Sequence, residues 1–198
     1  MLPASLRVHT EPATEPITAA EAKLHARIET DADDALVSMW IKAARMTAET
    51  MTQRRLISQT IEAQYDDWPR TSNSYEIWLP GPPLVSVTTV KYYDTDGTEQ
   101  TLSTDVYEVN TAKEPGVVTL KPNQVWPTLQ SGKATPITIR YIAGYANAAA
   151  VPDLIKAGMY LLIAHMNKYR EEVAAGTLTK IPFGAQQCFG LCAVPWGH

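Results

Sequence analysis

The chain has 198 residues, of which 45% are hydrophobic and 19% charged, a composition typical of a globular protein with a sizeable core. Its formal net charge is −4, and residues 61–150 carry six Lys/Arg against ten Asp/Glu, which argues against a basic surface that grips nucleic acid. No apolar run reaches the length of a transmembrane helix, and the N-terminus lacks the pattern of a signal peptide. Two cysteines make no disulfide framework, so we expect a cytosolic protein.

Residues 1–16 contain three prolines with Thr and Glu between them, so we predict an irregular N-terminal arm. Thr18 and Glu21 then have the spacing of a capping box, in which each side chain binds the backbone N–H of the other residue. This pattern predicts the start of a first helix. We expect Leu24 and Ile28, four residues apart, to face inward from it.

An acidic cluster of Asp31, Asp33 and Asp34 precedes a second predicted helix and suits its N-terminal cap. The cluster lacks the spacing and the distant Glu of a calcium loop, so we favour capping over a cation site. The residues that follow have an apolar period of 3.6, with charged residues on the opposite face. The predicted inward positions are Val37, Trp40, Ile41, Ala44, Ala48 and Met51.

Residues 56–142 are rich in Val, Ile, Thr and Tyr and are divided by turn residues, a pattern typical of antiparallel strands. The clearest hairpin tip is Asp94-Thr95-Asp96-Gly97, because glycine accepts the positive φ that tight hairpin turns need. Val125-Trp126-Pro127 interrupts the strand pattern with a bulky apolar anchor. The predicted strands are 57–65, 75–79, 84–93, 105–109, 116–120 and 137–142.

A long helix is predicted to begin at Val151-Pro152-Asp153, since proline suits the first turn and negative charge favours a helix N-terminus. Residues 157–164, AGMYLLIA, are apolar all round, so most sides of this helix have to be covered. Either the helix is the centre of a core, or a neighbouring subunit covers part of it. The residues assigned to this core or ring contact are Leu154, Leu161, Leu162, His165 and Tyr169.

The C-terminal segment, 176–198, is rich in glycine and proline and yet apolar, whereas disordered tails are usually polar. We therefore predict an irregular tail that packs against a partner, where aromatic anchors dominate the binding energy. The predicted anchors, on a partner protein or an adjacent subunit, are Phe183, Phe189, Leu191 and Trp196. Deletion of residues 181–198 is expected to abolish attachment to that partner and to leave the fold intact.

These elements predict an α+β fold, in which two N-terminal helices (17–53) and one long C-terminal helix (152–175) form a small helical core. An antiparallel β insertion (56–142) lies between them in the sequence. The predicted organisation is an arm over 1–16, a single α+β domain over 17–175 and a tail over 176–198.

No pattern typical of an enzyme or a metal centre is complete. The four histidines lack the spacing of a helical zinc site, and we interpret His165 as structural. Cys188 and Cys192, with His198, resemble ligands, but their spacing is not that of a zinc knuckle and a fourth ligand is missing. The sequence therefore predicts no enzyme, no cofactor and no metal. A small hydrolase or metal-binding protein that uses the Cys/His tail is the minor alternative.

Three segments carry a resemblance through their order and spacing. They are ITAAEAKLHARIETDADDALVSMWIKAARMTAETMTQRRLISQT (17–60), LPGPPLVSVTTVKYYDTDGTEQTLSTDVYEV (79–109) and RYIAGYANAAAVPDLIKAGMYLLIAHMNKYRE (140–171). With EPGVVTL and VWP between them, most of residues 17–173 resembles the head–tail connector, or adaptor, proteins of long-tailed bacteriophages and prophages. The resemblance is to the longer branch of that family, which has a β insertion between its helices. CFGLCAVPWGH matches no motif of the family.

The resemblance implies a structural virion protein that forms a ring, commonly dodecameric, beneath the portal protein. Such a ring extends the DNA channel, lets DNA pass without sequence-specific binding, and binds a neck, stopper or tail-completion protein. It implies no active site, no cofactor and no membrane, and a location in the virion neck after assembly in the bacterial host cytoplasm. The alternative is another phage assembly factor on the same fold, either a stopper-like neck protein or a packaging chaperone.

The residues fit this role in two ways. A ring needs two different contact faces on each subunit, and the long apolar helix and the β insertion are the predicted faces. A channel through which DNA slides should not bind it tightly, and a mildly acidic chain meets that need.

Overall fold

The structure is a computed structural model that describes residues 2–69, 76–169 and 181–194. The chain divides into two compact units, and the α+β fold predicted from the sequence is confirmed. Unit 1 contains Met1–Pro12 and Ser58–Gly144, and unit 2 contains Ala13–Ile57 and Tyr145–His198.

Unit 1 consists of strands, all paired antiparallel. Five of them form a sheet in the order β1-β2-β8-β4-β5, and three form a second sheet in the order β3-β7-β6. Each of the six predicted strands is present, with ends within two residues of the predicted ones. The described strands are β1 Ser5–Thr10, β2 Gln59–Tyr65, β3 Glu76–Leu79, β4 Leu84–Tyr93, β5 Glu99–Thr101, β6 Tyr107–Asn110, β7 Gly116–Leu120 and β8 Ile137–Ala143.

The core of unit 1 lies on one face of the larger sheet. Along β8 the side chains alternate between buried and half-buried, as the two-residue period of a strand dictates. Ile139 and Tyr141 face inward, and Val118 of the smaller sheet joins the same core. The Tyr141 hydroxyl donates to the carbonyl oxygen of Pro80 at 2.7 Å, so the buried polar end of this ring is satisfied.

One predicted turn and one predicted anchor of unit 1 are present in the structure. Gly97 has a φ of 79° at the tip of the β4–β5 hairpin, where its N–H donates to the carbonyl oxygen of Asp94 at 3.0 Å. A hydrogen bond from the Gln100 side chain and one from the Thr98 backbone hold the pKa of the Asp94 carboxyl below its usual value. Trp126 stacks on Trp68 with ring centroids 4.5 Å apart, which is the anchor role predicted for this segment.

Unit 2 is built from helices. Its described elements are α1 Ala19–Ala26, α2 Asp34–Thr52, a 3₁₀ turn at Ala148–Ala150, α3 Asp153–Lys168 and α4 Phe183–Leu191. The stripe predicted for α2 is buried, apart from Met51, which is partly buried. It packs with Ile155, Met159 and Ile163 of α3 in one cluster. The predicted continuation of α3 to residue 175 lies outside the described residues, and Tyr169 is the C-cap of the helix.

The first helix, α1, begins as predicted, but a different residue faces the core. The Thr18–Glu21 capping box is present, with both reciprocal hydrogen bonds formed. Leu24, however, is 83% exposed, and Ala22 is the buried residue of α1. Residues two positions apart on a helix point in nearly opposite directions, about 200° apart, so burial of Ala22 turns Leu24 outward.

The N-terminal arm is not irregular. Residues Ser5–Thr10 form β1, which pairs with β2 from Ser5 opposite Gln64 to Thr10 opposite Thr60. The prolines that favoured an irregular arm, Pro3 and Pro12, flank this strand rather than interrupt it. β1 lies at the edge of its sheet and all six of its residues are exposed. Leu6 and Val8 alternate with polar residues, but this alternation is too short to outweigh the neighbouring prolines in the prediction.

Candidate functional site

Three of the four predicted tail anchors, Phe183, Phe189 and Leu191, lie on a helix, α4, rather than on an irregular segment. Phe189 is fully buried inside unit 2, whereas Phe183 and Leu191 are 74% and 76% exposed. Trp196 lies outside the described residues. Because Phe189 is buried within its own chain, it is a core residue of unit 2, and only Phe183 and Leu191 of the described residues predicted as anchors are accessible to a partner.

Close packing of α4 on α3 explains why a glycine-containing segment is helical. A Cβ on Gly158 of α3 would lie 2.5 Å from Cε1 of Phe189, so only glycine allows this approach. Ala185, one turn before Phe189, is also fully buried. Burial of these two side chains outweighs the poor helix propensity of Gly184 and Gly190.

The long helix α3 has a buried side and a partly exposed side. Leu162 is buried in the core of unit 2, while Leu154, Leu161 and Tyr169 are each 39% exposed. His165 lies against the ring of Tyr169 with centroids 4.9 Å apart. Leu161 adjoins the start of α4, and Phe183 and Leu191 lie at the two ends of that helix. We call Leu154, Leu161, Phe183 and Leu191 the apolar surface of unit 2.

The cysteine and histidine residues considered as ligands are dispersed or packed. Cys188 and Cys192 are free and partly buried, and burial raises the pKa of the Cys192 thiol. His25 stacks on Tyr160 with centroids 5.3 Å apart, and His198 lies outside the described residues. Among residues 2–69, 76–169 and 181–194, no group of three or more His, Cys, Asp or Glu side chains has the arrangement of a metal site.

The acidic cluster before α2 binds a lysine and makes no side-chain cap. Asp33 occupies the N-cap position without a side-chain hydrogen bond to the helix. Asp31 and Asp34 both accept from Nζ of Lys23, at 2.5 and 2.7 Å. The hydrogen bonds to Asp31 and Asp34 raise the pKa of Lys23, and the one from Lys23 lowers the pKa of Asp31.

The outer face of the larger sheet in unit 1 carries a row of charged side chains that was not predicted from the sequence. Arg7, Glu62 and Arg140 stand opposite one another on β1, β2 and β8. The Glu62 side chain is only 4% exposed and accepts from Arg7 at 2.5 Å and from Arg140 at 2.8 Å. Burial raises the pKa of Glu62, but the hydrogen bonds from Arg140 and Arg7 outweigh burial and bring it below its ordinary value.

This charged row lines a concave cavity of about 350 Å³, which we call the basic cavity. Lys91 on its wall binds Glu99 at 2.6 Å, and Lys133 places its Nζ 3.8 Å from the centre of the Tyr93 ring. The charged residues that line it are Arg7, Lys91, Lys133, Arg140, Glu62 and Glu99. Four cations therefore face two carboxylates. The signal in the sequence is the polar residue at every second position of β2 and β8, which has meaning only once strand register is known.

The protein therefore has an α+β fold, with exposed apolar side chains on the helices of unit 2 and a charged cavity on the larger sheet of unit 1. The family model of the phage gp6-like head-tail connector proteins matches residues 16–113, about half of the chain. The chain belongs to this family, as its resemblance to head–tail connectors predicted.

Solved structures share the fold over nearly the whole chain. One is from the neck of an empty gene transfer agent (GTA) particle computed with C6 symmetry, at 23% identity and a TM-score of 0.77, covering 98% of this chain and 97% of that one. Another is from the virion of a native GTA particle, at 21% identity and a TM-score of 0.72, with the same coverage. A third is from the neck of a native GTA particle computed with C12 symmetry, at 22% identity and a TM-score of 0.67, covering 96% and 97%.

Among curated proteins, none matches the chain. Within the described residues, no helix is both long enough and apolar enough to cross a membrane.

Proposed function

We propose that this protein is a structural head–tail connector that assembles as a ring in the neck of a phage-like particle. The observation that carries the proposal is the family match over residues 16–113. The fold shared with proteins of GTA necks, two of them computed with C6 and C12 symmetry, supports a cyclic assembly. We propose twelve subunits, as the resemblance to adaptor proteins implies, and a structural role without catalysis.

We propose that the ring binds the portal protein on one side and a neck, stopper or tail-completion protein on the other. In a cyclic ring each subunit contacts its two neighbours through two different faces. The apolar surface of unit 2 is suited to the contact with the portal protein, because exposed aromatic and aliphatic side chains become anchors when a partner covers them. DNA passes through the ring without sequence-specific binding, which a net charge of −4 supports.

Electron microscopy of the protein mixed with purified portal rings tests the assembly. We expect a closed ring of this chain on one end of the portal, with the rotational symmetry of the portal. A single copy bound to the portal, or binding to another neck protein with none to the portal, contradicts the proposal. Those outcomes favour a packaging chaperone and a stopper-like neck protein, respectively.

Point substitutions on α4 test the apolar surface better than truncation does. Ala185, Phe189 and Val194 are buried in unit 2, so deletion of residues 181–198 would damage the fold, contrary to our expectation from the sequence. The double variant Phe183→Ser/Leu191→Ser keeps these core residues. We expect it to fold normally and to bind portal rings at least about tenfold more weakly, since each exposed anchor contributes on the order of 1 kcal/mol or more.

The matched control for this variant is Leu24→Ser on α1, because Leu24 is also highly exposed and belongs to the same unit. We expect portal binding by this control to be unchanged. If both variants lose portal affinity equally, the loss does not depend on where the apolar side chain lies. If neither loses affinity, the apolar surface does not contact the portal, contrary to the proposal.

A further inference from the structure

The basic cavity of unit 1 has more positive charge than its own carboxylates neutralise. Glu62 is shared between Arg7 and Arg140, and Glu99 binds Lys91. Four cations against two carboxylates leave two formal positive charges in one concavity, on a chain whose net charge is −4. A concentrated positive potential on an acidic protein marks a site for an anionic partner.

One donor in this cavity also lacks an acceptor. The Nε–H of Arg140 is buried, and no group of the described residues accepts from it, although the Nη2 atom binds Glu62 at 2.8 Å. A buried N–H without a partner costs roughly 1–3 kcal/mol. The Arg140 side chain as a whole is 38% exposed, so its guanidinium, although not this buried atom, is accessible to an anion. A carboxylate fits best, because arginine recognises planar anions through its fork of N–H groups.

The same chain offers an acidic segment to fill such a site. Residues 29–34 carry four carboxylates and no lysine or arginine, more carboxylates than any other six consecutive residues. The Asp31 side chain is 90% exposed and the Asp34 side chain 55% exposed, even though both bind Lys23. These carboxylates are therefore accessible to a second molecule.

We propose that the basic cavity of one subunit receives residues 29–34 of a second copy of this chain. The inference rests on the proposed ring, in which each copy presents one surface to its neighbour on one side and a different surface on the other. A positive concavity and a negative exposed segment on the same chain form a pair of that kind. Charge pairs of this sort fix orientation and register more than they add affinity. Nucleic acid is the less suitable occupant, because the rest of the chain is acidic.

Zero-length coupling with a carbodiimide tests the contact directly, since it joins lysine Nζ to a carboxylate only when the two touch. We would mix ¹⁴N-labelled and ¹⁵N-labelled protein, with and without portal rings, and identify the coupled peptides by mass spectrometry. Lys23 coupled to Asp31 or Asp34 is the internal control, and these pairs should carry one isotope only. We expect Lys91 or Lys133 coupled to residues 29–34 in mixed-isotope pairs that disappear at 1 M salt, where electrostatic attraction is screened beyond about 3 Å.

Other coupling patterns overturn the proposal in distinguishable ways. Mixed-isotope pairs that join only other residues mean that copies associate through other surfaces. This outcome contradicts the cavity contact but not the proposed ring. A complete lack of mixed-isotope pairs contradicts the cavity contact alone where electron microscopy shows a closed ring on the portal, and contradicts the proposed ring as well where it shows none.

Charge reversal gives a second, independent test. We expect Lys91→Glu/Lys133→Glu to weaken self-association about tenfold in sedimentation experiments, and Asp31→Lys/Asp34→Lys to do the same. Mixing the two variants should restore association, because each then supplies the complement of the other. Lys113→Glu, on an exposed lysine of unit 1 outside the cavity, is the matched control and should have little effect. Failure of the mixture to associate would overturn the proposal.

The nucleic acid alternative is tested with duplex DNA by fluorescence anisotropy. We expect no salt-sensitive binding that depends on Lys91 and Lys133. The opposite result is DNA binding by the wild-type protein that Lys91→Glu/Lys133→Glu abolishes and Lys113→Glu preserves. In that case the cavity binds nucleic acid, and our proposal is wrong.

Discussion

The apolar surface of unit 2 and the basic cavity of unit 1 differ in chemistry, although unit 1 also exposes single apolar side chains such as Val85 and Val125. In unit 2 large apolar side chains remain exposed on helices, as at Met39, Met46, Phe183 and Leu191. In unit 1 the open face of the larger sheet is charged and Glu62 is nearly buried between two arginines. Apolar area supplies affinity, whereas charge complementarity supplies orientation. Under the two proposals above, the apolar surface of unit 2 supplies affinity for a partner, and the basic cavity of unit 1 sets how copies align.

The largest expected effect in this comparison comes from Phe189→Ala, which should remove the aromatic ring that packs against Gly158 in unit 2. Phe189 is fully buried, so we expect a loss of about 3–5 kcal/mol in the free energy of unfolding, from lost burial and the cavity that remains. Urea denaturation followed by circular dichroism measures it. Phe183→Ala, six residues earlier and exposed, should change that free energy by less than about 0.5 kcal/mol.

Hydrogen exchange on the Phe189→Ala variant would also show whether the units are separate in stability. We expect faster exchange in α2 and α3 and unchanged exchange in β2 and β8. Equal acceleration in both units would mean that they unfold as one cooperative block, and the contrast between them would then concern surfaces only.

Glu49→Ala should have the next largest effect, because Glu49 is a buried carboxylate of α2 with several donors. It accepts from the backbone N–H of Leu56 at 3.0 Å and from Arg55 at 3.3 Å, and Arg45 lies 3.5 Å away. Removing it leaves buried donors without this acceptor, at a cost of about 3 kcal/mol. Glu49→Gln, which keeps an acceptor oxygen, should cost clearly less in the same urea experiment. Equal losses would show that the charge, rather than the hydrogen bonds, stabilises this network.

Periodic features of the fold could be predicted from the sequence. The α2 stripe and the strands β4 and β7 were placed correctly because long amphipathic periods and β-branched runs are local signals. The cap at Thr18 was equally local, since both partners lie within one helical turn.

The features that were missed depend on tertiary contacts. α4 has two glycines and no polar face, and it is helical because Phe189 fits against Gly158 in another helix. β1 has no buried residue and is a strand because β2 offers it a free edge. Helix propensity does not contain the first fact, and the short alternation of Leu6 and Val8 does not identify the strand that pairs with β1.

The candidate functional surfaces also combine features that are local in the sequence with features that depend on tertiary contacts. That the C-terminal segment is apolar could be read from the sequence, but which aromatic residue faces solvent could not. Phe183 and Phe189 look alike in sequence and differ completely in exposure. The basic cavity combines residues from 7 to 140, so it exists only through the order of the strands in the sheet.

Glu62→Gln should have a smaller effect, confined to unit 1. The amide still fills the space between Arg7 and Arg140 but carries no charge, so we expect a loss of about 1–2 kcal/mol at pH 7. The pKa of Glu62 is lower in the folded state than its ordinary value of 4.5, so its stabilisation is present above pH 4.5 and is lost as the pH falls through the folded-state pKa. The difference between wild type and variant should therefore shrink between pH 7 and pH 3.

Urea unfolding at several pH values measures this convergence. The control is Glu108→Gln on the smaller sheet, where the carboxylate is exposed, and we expect a change of less than about 0.5 kcal/mol. A constant difference between wild type and Glu62→Gln from pH 7 to pH 3 would show that Glu62 does not titrate with the arginine row, contrary to our interpretation of the charged face.

The smallest expected effect is at the entry of α1 in unit 2. The Thr18 hydroxyl accepts from the Glu21 backbone N–H at 3.2 Å, and Glu21 accepts in return from the Thr18 backbone N–H at 2.7 Å. Thr18→Ala removes the first bond and should cost about 1 kcal/mol, while Thr18→Ser keeps the hydroxyl and should restore most of it. If Thr18→Ala accelerates exchange only in α1, unit 2 contains an independently opening edge. If it accelerates exchange in α3 as well, this exposed cap stabilises a helix that carries part of the apolar surface, and the proposed partner binding by unit 2 depends on the first turn of α1.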